Sequence, residues 1–189
     1  MALDFVADFS LLMRMTLKNS RSEFIPITEE IKFLELYLRL EQKRLNKKFS
    51  FEVVLDDELS ETGLFLPPMV IQPYLENAII HGVANSDNQN HINIRFSKSG
   101  GQLTCTIADN GIGRERAAEL KNADEQRQKH ESMGMQITET RMQLLNDLYD
   151  GSFGVRINDL KDERGNATGT AVEVAFPIFD DPLVDDWDD

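Results

Sequence analysis

The stretch QPYLENAIIHG, residues 72–82, carries three groups able to do chemistry: Glu76, Asn77 and, one turn on, His81. Around them Tyr74, Leu75, Ala78 and Ile79 recur at helical spacing, and Gly82 stands where a helix would stop. Asparagine is a poor helix former because its amide competes for backbone hydrogen bonds. Placed among apolar neighbours it needs a partner or a job. Three glycine clusters follow: DNGIG (109–113), SMGM (132–135) and TGT (168–170). Glycine lets backbone N–H groups approach a ligand with no Cβ in the way, and such loops and helix N-termini hold phosphate oxygens. Each cluster alone is a weak signal, since DNGIG after a strand commonly makes a turn and TGT within a strand a bend. Their order is stronger evidence: helix with Asn, strand into DxGxG, long loop, glycine opening a helix, strand with Gly-Thr.

These groups need elements to hold them. Phe5, Val6, Phe9, Leu12, Met13, Thr16 and Leu17 form a helical stripe over residues 3–20. Pro26 interrupts it, and Thr28 is placed to cap a second helix running to about Lys47, with Ile31, Leu34, Leu38 and Leu45 on one face. Two amphipathic helices joined by a short turn predict a hairpin or dimer-forming element. From Phe49 the period changes. FSFEVVL reads as a strand, DDELSETG as a loop, and LFLPP as an extended lead into a helix over 69–82. HINIRFS and LTCTIAD alternate as strands around the Gly100-Gly101 turn. Residues 114–132 are charged and poorly periodic and predict a mobile loop with a short helix. MQITETRMQLLNDLY returns to helix, and strands close the chain near FGVRIND and TAVEVAFPI. The Met cluster (Met13, Met15, Met133, Met135, Met142) reads as core packing.

Composition narrows the class. The chain has 189 residues, 41% of them apolar, and a formal charge of −13. The last ten residues, DDPLVDDWDD, hold six of the acids, and the remainder is still acidic. No basic stripe offers a nucleic-acid footprint, and nothing in the sequence approaches the ~20 apolar residues of a membrane span. One cysteine, Cys105, allows no internal disulfide and fits a reducing compartment. The expectation is a cytoplasmic piece with a solvated acidic tail over 179–189.

With those motifs in place, the chain resembles the ATP-binding catalytic region of sensor histidine kinases, with the Bergerat fold. More narrowly it resembles the LytS-type kinases, whose signatures stand here as YLRLEQKR (37–44) and QPYLENAIIHG (72–82). The resemblance covers residues 3 to about 178. It implies an α+β fold: a two-layer α/β sandwich, its mixed sheet covered by helices on one face, preceded by an N-terminal helical hairpin. It divides the chain into a dimerisation helical part at 1–47, an ATP-binding catalytic domain at 48–178 and the tail.

By the same resemblance Asn77 ligates Mg²⁺ bridging the ATP phosphates, which gives the mid-helix asparagine its partner. Mg²⁺ suits such a site because it keeps several waters and takes few protein ligands. His81 packs on the adenine ring, and Asp109 accepts a hydrogen bond from the adenine amino group. Gly111 and Gly113 let their loop approach the nucleotide, Gly134 opens a helix under the phosphates, and Thr170 supports the pairing of Asp109 with adenine. Residues 114–132 are the lid over the nucleotide. Glu76 is the acidic candidate for a general base. The sequence departs from relatives at Ile80, where many carry a cation, at Pro73, where others have Asn or Glu, and at Ser132 and Thr168, which replace glycines. Lys129 or His130 in the lid is a candidate for the missing phosphate charge, against the favoured reading that both are solvated.

A kinase of this type needs an acceptor histidine. His81, His91 and His130 do not fit that role by context, so the chain is expected to begin just past the acceptor. Its implied partners are ATP, a response regulator of LytTR type and, in the intact kinase, a second copy in a homodimer. Nucleic acid is not expected, and membrane attachment only through segments outside this chain. Two other readings compete: a nucleotide-binding interaction module without transfer activity, and a serine-directed anti-sigma-type kinase. The two long signatures argue against the latter.

Overall fold

The computed structural model describes residues 2–46, 48–60, 63–84, 89–99, 101–121, 137–138, 140–148 and 153–178. Two 18-residue helices open the chain, α1 (Ala2–Asn19) and α2 (Ile27–Arg44). They pack on each other, with Lys43 bonded to Asp8 and Lys18 to Glu29 across the pair. Such exposed pairs contribute ~0–1 kcal/mol each, so apolar burial decides the seating. α2 does not use Thr28 as its cap: Pro26 holds that position and Ile27 is the first helical residue. The fixed φ of Pro26 sets the chain's direction, and the backbone N–H of Ile27 goes to the carbonyl of Leu64. Here β1 (Ile25–Pro26) and β3 (Phe65–Leu66) form a two-residue antiparallel pair that binds the helical hairpin to the rest of the molecule. Within the expected loop DDELSETG, residues Asp57–Ser60 make one helical turn, α3.

The main sheet has five strands: β2 (Phe49–Leu55), β4 (Asn90–Ser99), β5 (Gln102–Asp109), β6 (Gly154–Lys161) and β7 (Ala167–Pro177). Their spatial order is β2-β4-β5-β7-β6. β2 runs parallel to β4 and every other pair is antiparallel, so the sheet is mixed as expected. Period-two alternation sends Ile92, Ile94, Phe96, Leu103, Cys105, Ile107, Val172, Val174 and Phe176 to one buried face. Against it lie Phe33, Leu34 and Leu38 of α2, Tyr74, Leu75 and Ile79 of the QPYLENAIIHG segment, and Met142 and Leu145 of α6 (140–148). Each large apolar side chain so buried stabilises by roughly 1.5–3 kcal/mol. α2 and the sheet therefore share one core. Asn146 clamps the start of β6, giving its amide to the Phe153 carbonyl and taking the Phe153 N–H at 3.0 and 2.7 Å.

The helix expected over 69–82 differs in detail. α4 spans Gln72–Asn77 with Pro73 in its first turn, and the chain then widens into a π turn over Ala78–Val83. Gly82 lies inside that turn rather than ending a helix. A π turn inserts one extra residue per turn and re-aims the side chains beyond it, and such turns recur at functional sites. After β5, α5 (Gly113–Lys121) occupies the first part of the expected lid. The rest of the lid, Ser132, Gly134 and the acidic tail lie outside the described residues, as does the side chain of His81.

Candidate functional site

The alternation that buries Leu103, Cys105 and Ile107 continues to the last residue of β5, which is Asp109. A carboxylate thus occupies a position where the pattern calls for an apolar side chain, and it is only 5% exposed. What surrounds it explains how the fold tolerates this. Its Oδ1 accepts the backbone N–H of Gly111 at 2.9 Å, and the backbone of Thr170, its register partner on β7, supplies a second bond. Burial raises the Asp109 pKa from 3.8 to about 6, and those two backbone bonds hold it from rising further.

Three glycines wall the group. A Cβ on Gly82 would sit 2.6 Å from Asp109 Oδ1, and one on Gly111 would collide with the backbone of Gly82. Gly169 has φ +144° and a Cβ there would overlap the Asp109 carbonyl. The bend read from TGT is therefore real, and its cause is the close approach of β7 to Asp109. The π turn packs against β5, β7 and α5, and the Ile112 N–H reaches the Gly82 carbonyl at 3.3 Å. Gly113, at φ +76°, opens α5 beside Ala167.

Two asparagines fix the corner from below. Asn110 takes the His91 N–H at 2.6 Å and gives its amide to the Gln89 carbonyl, while Asn90 gives its amide to the Val83 carbonyl at 3.0 Å. The start of β4, the end of β5 and the end of the π turn are thereby held together. The sequence reading missed the roles of Gly82, Asn90 and Asn110. The asparagine in DNG was visible, but its partner lies nineteen residues earlier.

Asn77 sits half-buried at the junction of α4 and the π turn. Glu76 beside it accepts the Gln72 side-chain amide at 2.8 Å. The two long signatures meet here. Burial first, then the carboxylates of Glu76 and Glu41, push the Tyr37 hydroxyl well above its ordinary range, so YLRLEQKR and QPYLENA lie against each other. The fold thus brings Gly82, Asp109, Gly111, Gly113, Gly169 and Thr170 into one corner through the π turn, β5, α5 and β7, with Asn77 the residue just before the π turn. Gly134 falls outside the described residues, and His91 is held away in the sheet with Nδ1 2.8 Å from the Ser50 hydroxyl.

Asp109 is a buried acceptor held by the Gly111 N–H and closely approached by Gly82, a chemistry that suits an N–H donor. For a cation, no group of three His, Cys, Asp or Glu is found among the described residues. A hard ion at Asn77 would take its remaining ligands from water and a bound anion, which suits Mg²⁺ and not a protein-caged metal. Among the described residues no helix is long and apolar enough to cross a membrane.

Residues 1–49 match the family described as Histidine kinase, and residues 74–152 match the Histidine kinase-like ATPase domain. The chain is similar to Sensor protein LytS of Oceanobacillus iheyensis, with 30% identity over 108 residues, which are 57% of this chain and 18% of that protein. It is likewise similar to Sensor protein LytS of Staphylococcus epidermidis, with 32% identity over 104 residues, 55% of this chain and 17% of that protein. The matched stretch spans less than a fifth of the length of these relatives. Among solved structures, the histidine kinase domain of a blue-light activated kinase from Erythrobacter litoralis superposes with TM-score 0.54 at 16% identity, over 93% of this chain and 80% of that one. The Acinetobacter baumannii histidine kinase AdeS gives TM-score 0.52 at 12% identity, over 92% of this chain and 76% of that one. At these identities the likeness carries the fold, which is that of histidine kinase catalytic domains.

Proposed function

Taking as premise that the chain carries a histidine kinase-like ATPase domain and is similar to LytS sensor proteins, we propose that it binds Mg·ATP and positions the γ-phosphate for transfer to a histidine. The observation that supports this most is the Asp109 corner, a buried carboxylate closely approached by Gly82, which lies on the π turn that follows Asn77. In this reading Asp109 accepts the adenine amino group, which guanine lacks at that position, and Thr170 holds the carboxylate in place. Gly111 and Gly113 carry the loop past the nucleotide, Gly134 opens the helix under the phosphates and His81 lies against the base. Asn77 holds Mg²⁺ through its amide oxygen, and the ion when bound neutralises phosphate charge. Phosphoryl transfer depends chiefly on positioning and charge, so the protein's task is to hold the phosphates in line and exclude water. Glu76, kept as an acceptor by the Gln72 amide, is assigned the proton of the receiving histidine.

The helical part at 1–47 is assigned to a dimerisation region, 48–178 to the nucleotide domain and 179–189 to an acidic tail. A response regulator, of LytTR type by the resemblance, would receive the phosphate. Membrane attachment would come through other segments of the kinase, leaving this part cytoplasmic. His91, bonded to Ser50 in the sheet, is not the acceptor in this reading.

Calorimetry with ATP and GTP, with and without Mg²⁺, tests the proposal. ATP should bind better than GTP, and Asn77→Ala should remove most of the Mg²⁺ dependence while leaving the fold intact. Equal affinities for the two nucleotides would end the assignment of Asp109. Incubation with radiolabelled ATP should leave no acid-labile phosphate on this chain until a segment bearing an acceptor histidine is supplied.

A further inference from the structure

Glu30 lies on α2 three residues after Ile27 and four before Leu34, on the stripe that faces the core, and it is fully buried. Neither of its carboxylate oxygens has a hydrogen-bond partner. Burial raises its pKa from 4.5 to about 8, with the positive charge of Arg141 on α6 pulling the other way. Arg141 is near enough for that charge to act, yet its guanidinium is committed elsewhere. Its Nη1 donates to the Pro68 carbonyl at 2.7 Å. Cys105 on β5 is the other titratable neighbour. Its thiol is pushed up by burial and then by Glu30.

The carbonyl that Arg141 holds belongs to the residue before Met69, a non-glycine at φ +62°. That conformation costs of order 1 kcal/mol or more for a side chain of this size and persists only where the surroundings impose it. Three residues later Gln72 begins α4, and its Oε1 is also buried without a partner. The arrangement therefore combines a cation with one neutral partner, an unsatisfied acid beside it, and a strained residue at the point the cation grips. An isolated buried carboxylate stays neutral, whereas one paired with a guanidinium ionises.

We propose that Arg141 exchanges between the Pro68 carbonyl seen here and the Glu30 carboxylate, so that α6, the lead into α4 and α2 change their seating together. In the first arrangement Glu30 is a neutral acid and Met69 is strained. In the second, Glu30 has released its proton to solvent, its carboxylate is paired with Arg141, and Met69 is free to relax to negative φ. Resting on the nucleotide reading above, a ligand at the Asn77 end of α4 is the event that moves the exchange.

Carbon-13 NMR of the Glu30 carboxyl, recorded with the Met69 methyl across pH 5–9 on the whole chain, tests this without nucleotide. The Met69 resonance should titrate with the same midpoint as Glu30. Glu30→Gln, which copies the neutral acid, should hold Met69 at its low-pH position, and Arg141→Met should uncouple the two. Met69→Gly, which removes the strain, should raise the Glu30 midpoint. Adding Mg·ATP should shift the Glu30 midpoint, because a ligand at the Asn77 end of α4 biases one arrangement over the other. Absence of ATP-induced shifts at Gly111 would count against the nucleotide reading alone, because the pH experiment stands by itself. A Met69 signal indifferent to Glu30 ionisation, or a midpoint unmoved in Arg141→Met, would overturn the exchange.

Discussion

Asp109 and Glu30 are both carboxyl groups taken out of water, 5% and 0% exposed, and the fold treats them differently. Asp109 ends a strand, where neighbouring backbone N–H groups of Gly111 and Thr170 point at it and hold its pKa to about 6. Glu30 stands in the first turn of α2, with its side chain buried in the core. It finds no donor, and its pKa climbs to about 8. The difference teaches that burial sets the size of the penalty while local backbone geometry decides how much is returned. A strand end beside a glycine turn is a ready acceptor site, and a mid-core helix position is a ready proton store.

The largest effect should come from removing the geometry that makes the Asp109 corner possible. Gly169→Val places a branched side chain at φ +144° where the Asp109 carbonyl already lies. We expect a loss of about 4 kcal/mol or more, seen as a collapse of the urea midpoint, because neither backbone can retreat without breaking the sheet. A midpoint within error of the parent would mean the two strands are not held together as described.

Next is Glu30→Met, which replaces the unsatisfied acid with an apolar side chain of similar volume. Unfolded, Glu30 titrates near 4.5; folded, near 8. As pH rises the unfolded chain loses its proton first, so stability from this group falls between those values and levels off above 8. The variant should therefore be more stable at pH 8, on the order of 3 kcal/mol, and the gain should shrink as pH drops from 8 towards 4.5 and level off below that. Thermal melts across that range check both sign and window.

Asp109→Asn sharpens the other side of the comparison. An amide can still accept from Gly111 but offers no charge to an N–H donor. We expect ATP affinity to fall about 30-fold, or about 2 kcal/mol. In the parent protein, affinity should weaken as pH drops through about 6 and the carboxylate is protonated. The variant should show no such step by calorimetry. For the free chain the sign is opposite. Stability from Asp109 falls as pH rises from 3.8 to 6, because the unfolded carboxyl ionises first.

The smallest effect is expected where charges stay in water. Arg114 in the first turn of α5 makes two bonds of 2.7 Å to Asp159 on β6, with the arginine side chain 53% exposed. Arg114→Ala should cost only about 0.5 kcal/mol by chemical denaturation, despite geometry as good as any in the molecule.

The sequence by itself determined most of the element types, and the family resemblance implied the mixed sheet. Period-two alternation marked β4, β5 and β7, helical spacing marked α1 and α2, and QPYLENAIIHG with DNGIG and TGT pointed to Asn77, Asp109 and Thr170. These are local signals, written within one turn or one strand, and a single chain displays them. The tertiary structure alone decided that Gly82 packs on Asp109 instead of ending a helix, because the reason for its missing side chain lies twenty-seven residues away. It alone decided that the helix widens at Ala78, that Asn110 holds His91, and that Pro26 pairs with Phe65 and takes the cap position in place of Thr28. Glu30 makes the same point. By sequence it is one of two acids suited to a helix N-terminus, and its spacing from Ile27 and Leu34 was the available sign of burial. That the charge of Arg141 reaches it while no hydrogen-bond donor does depends on where α6 docks, which no local pattern encodes.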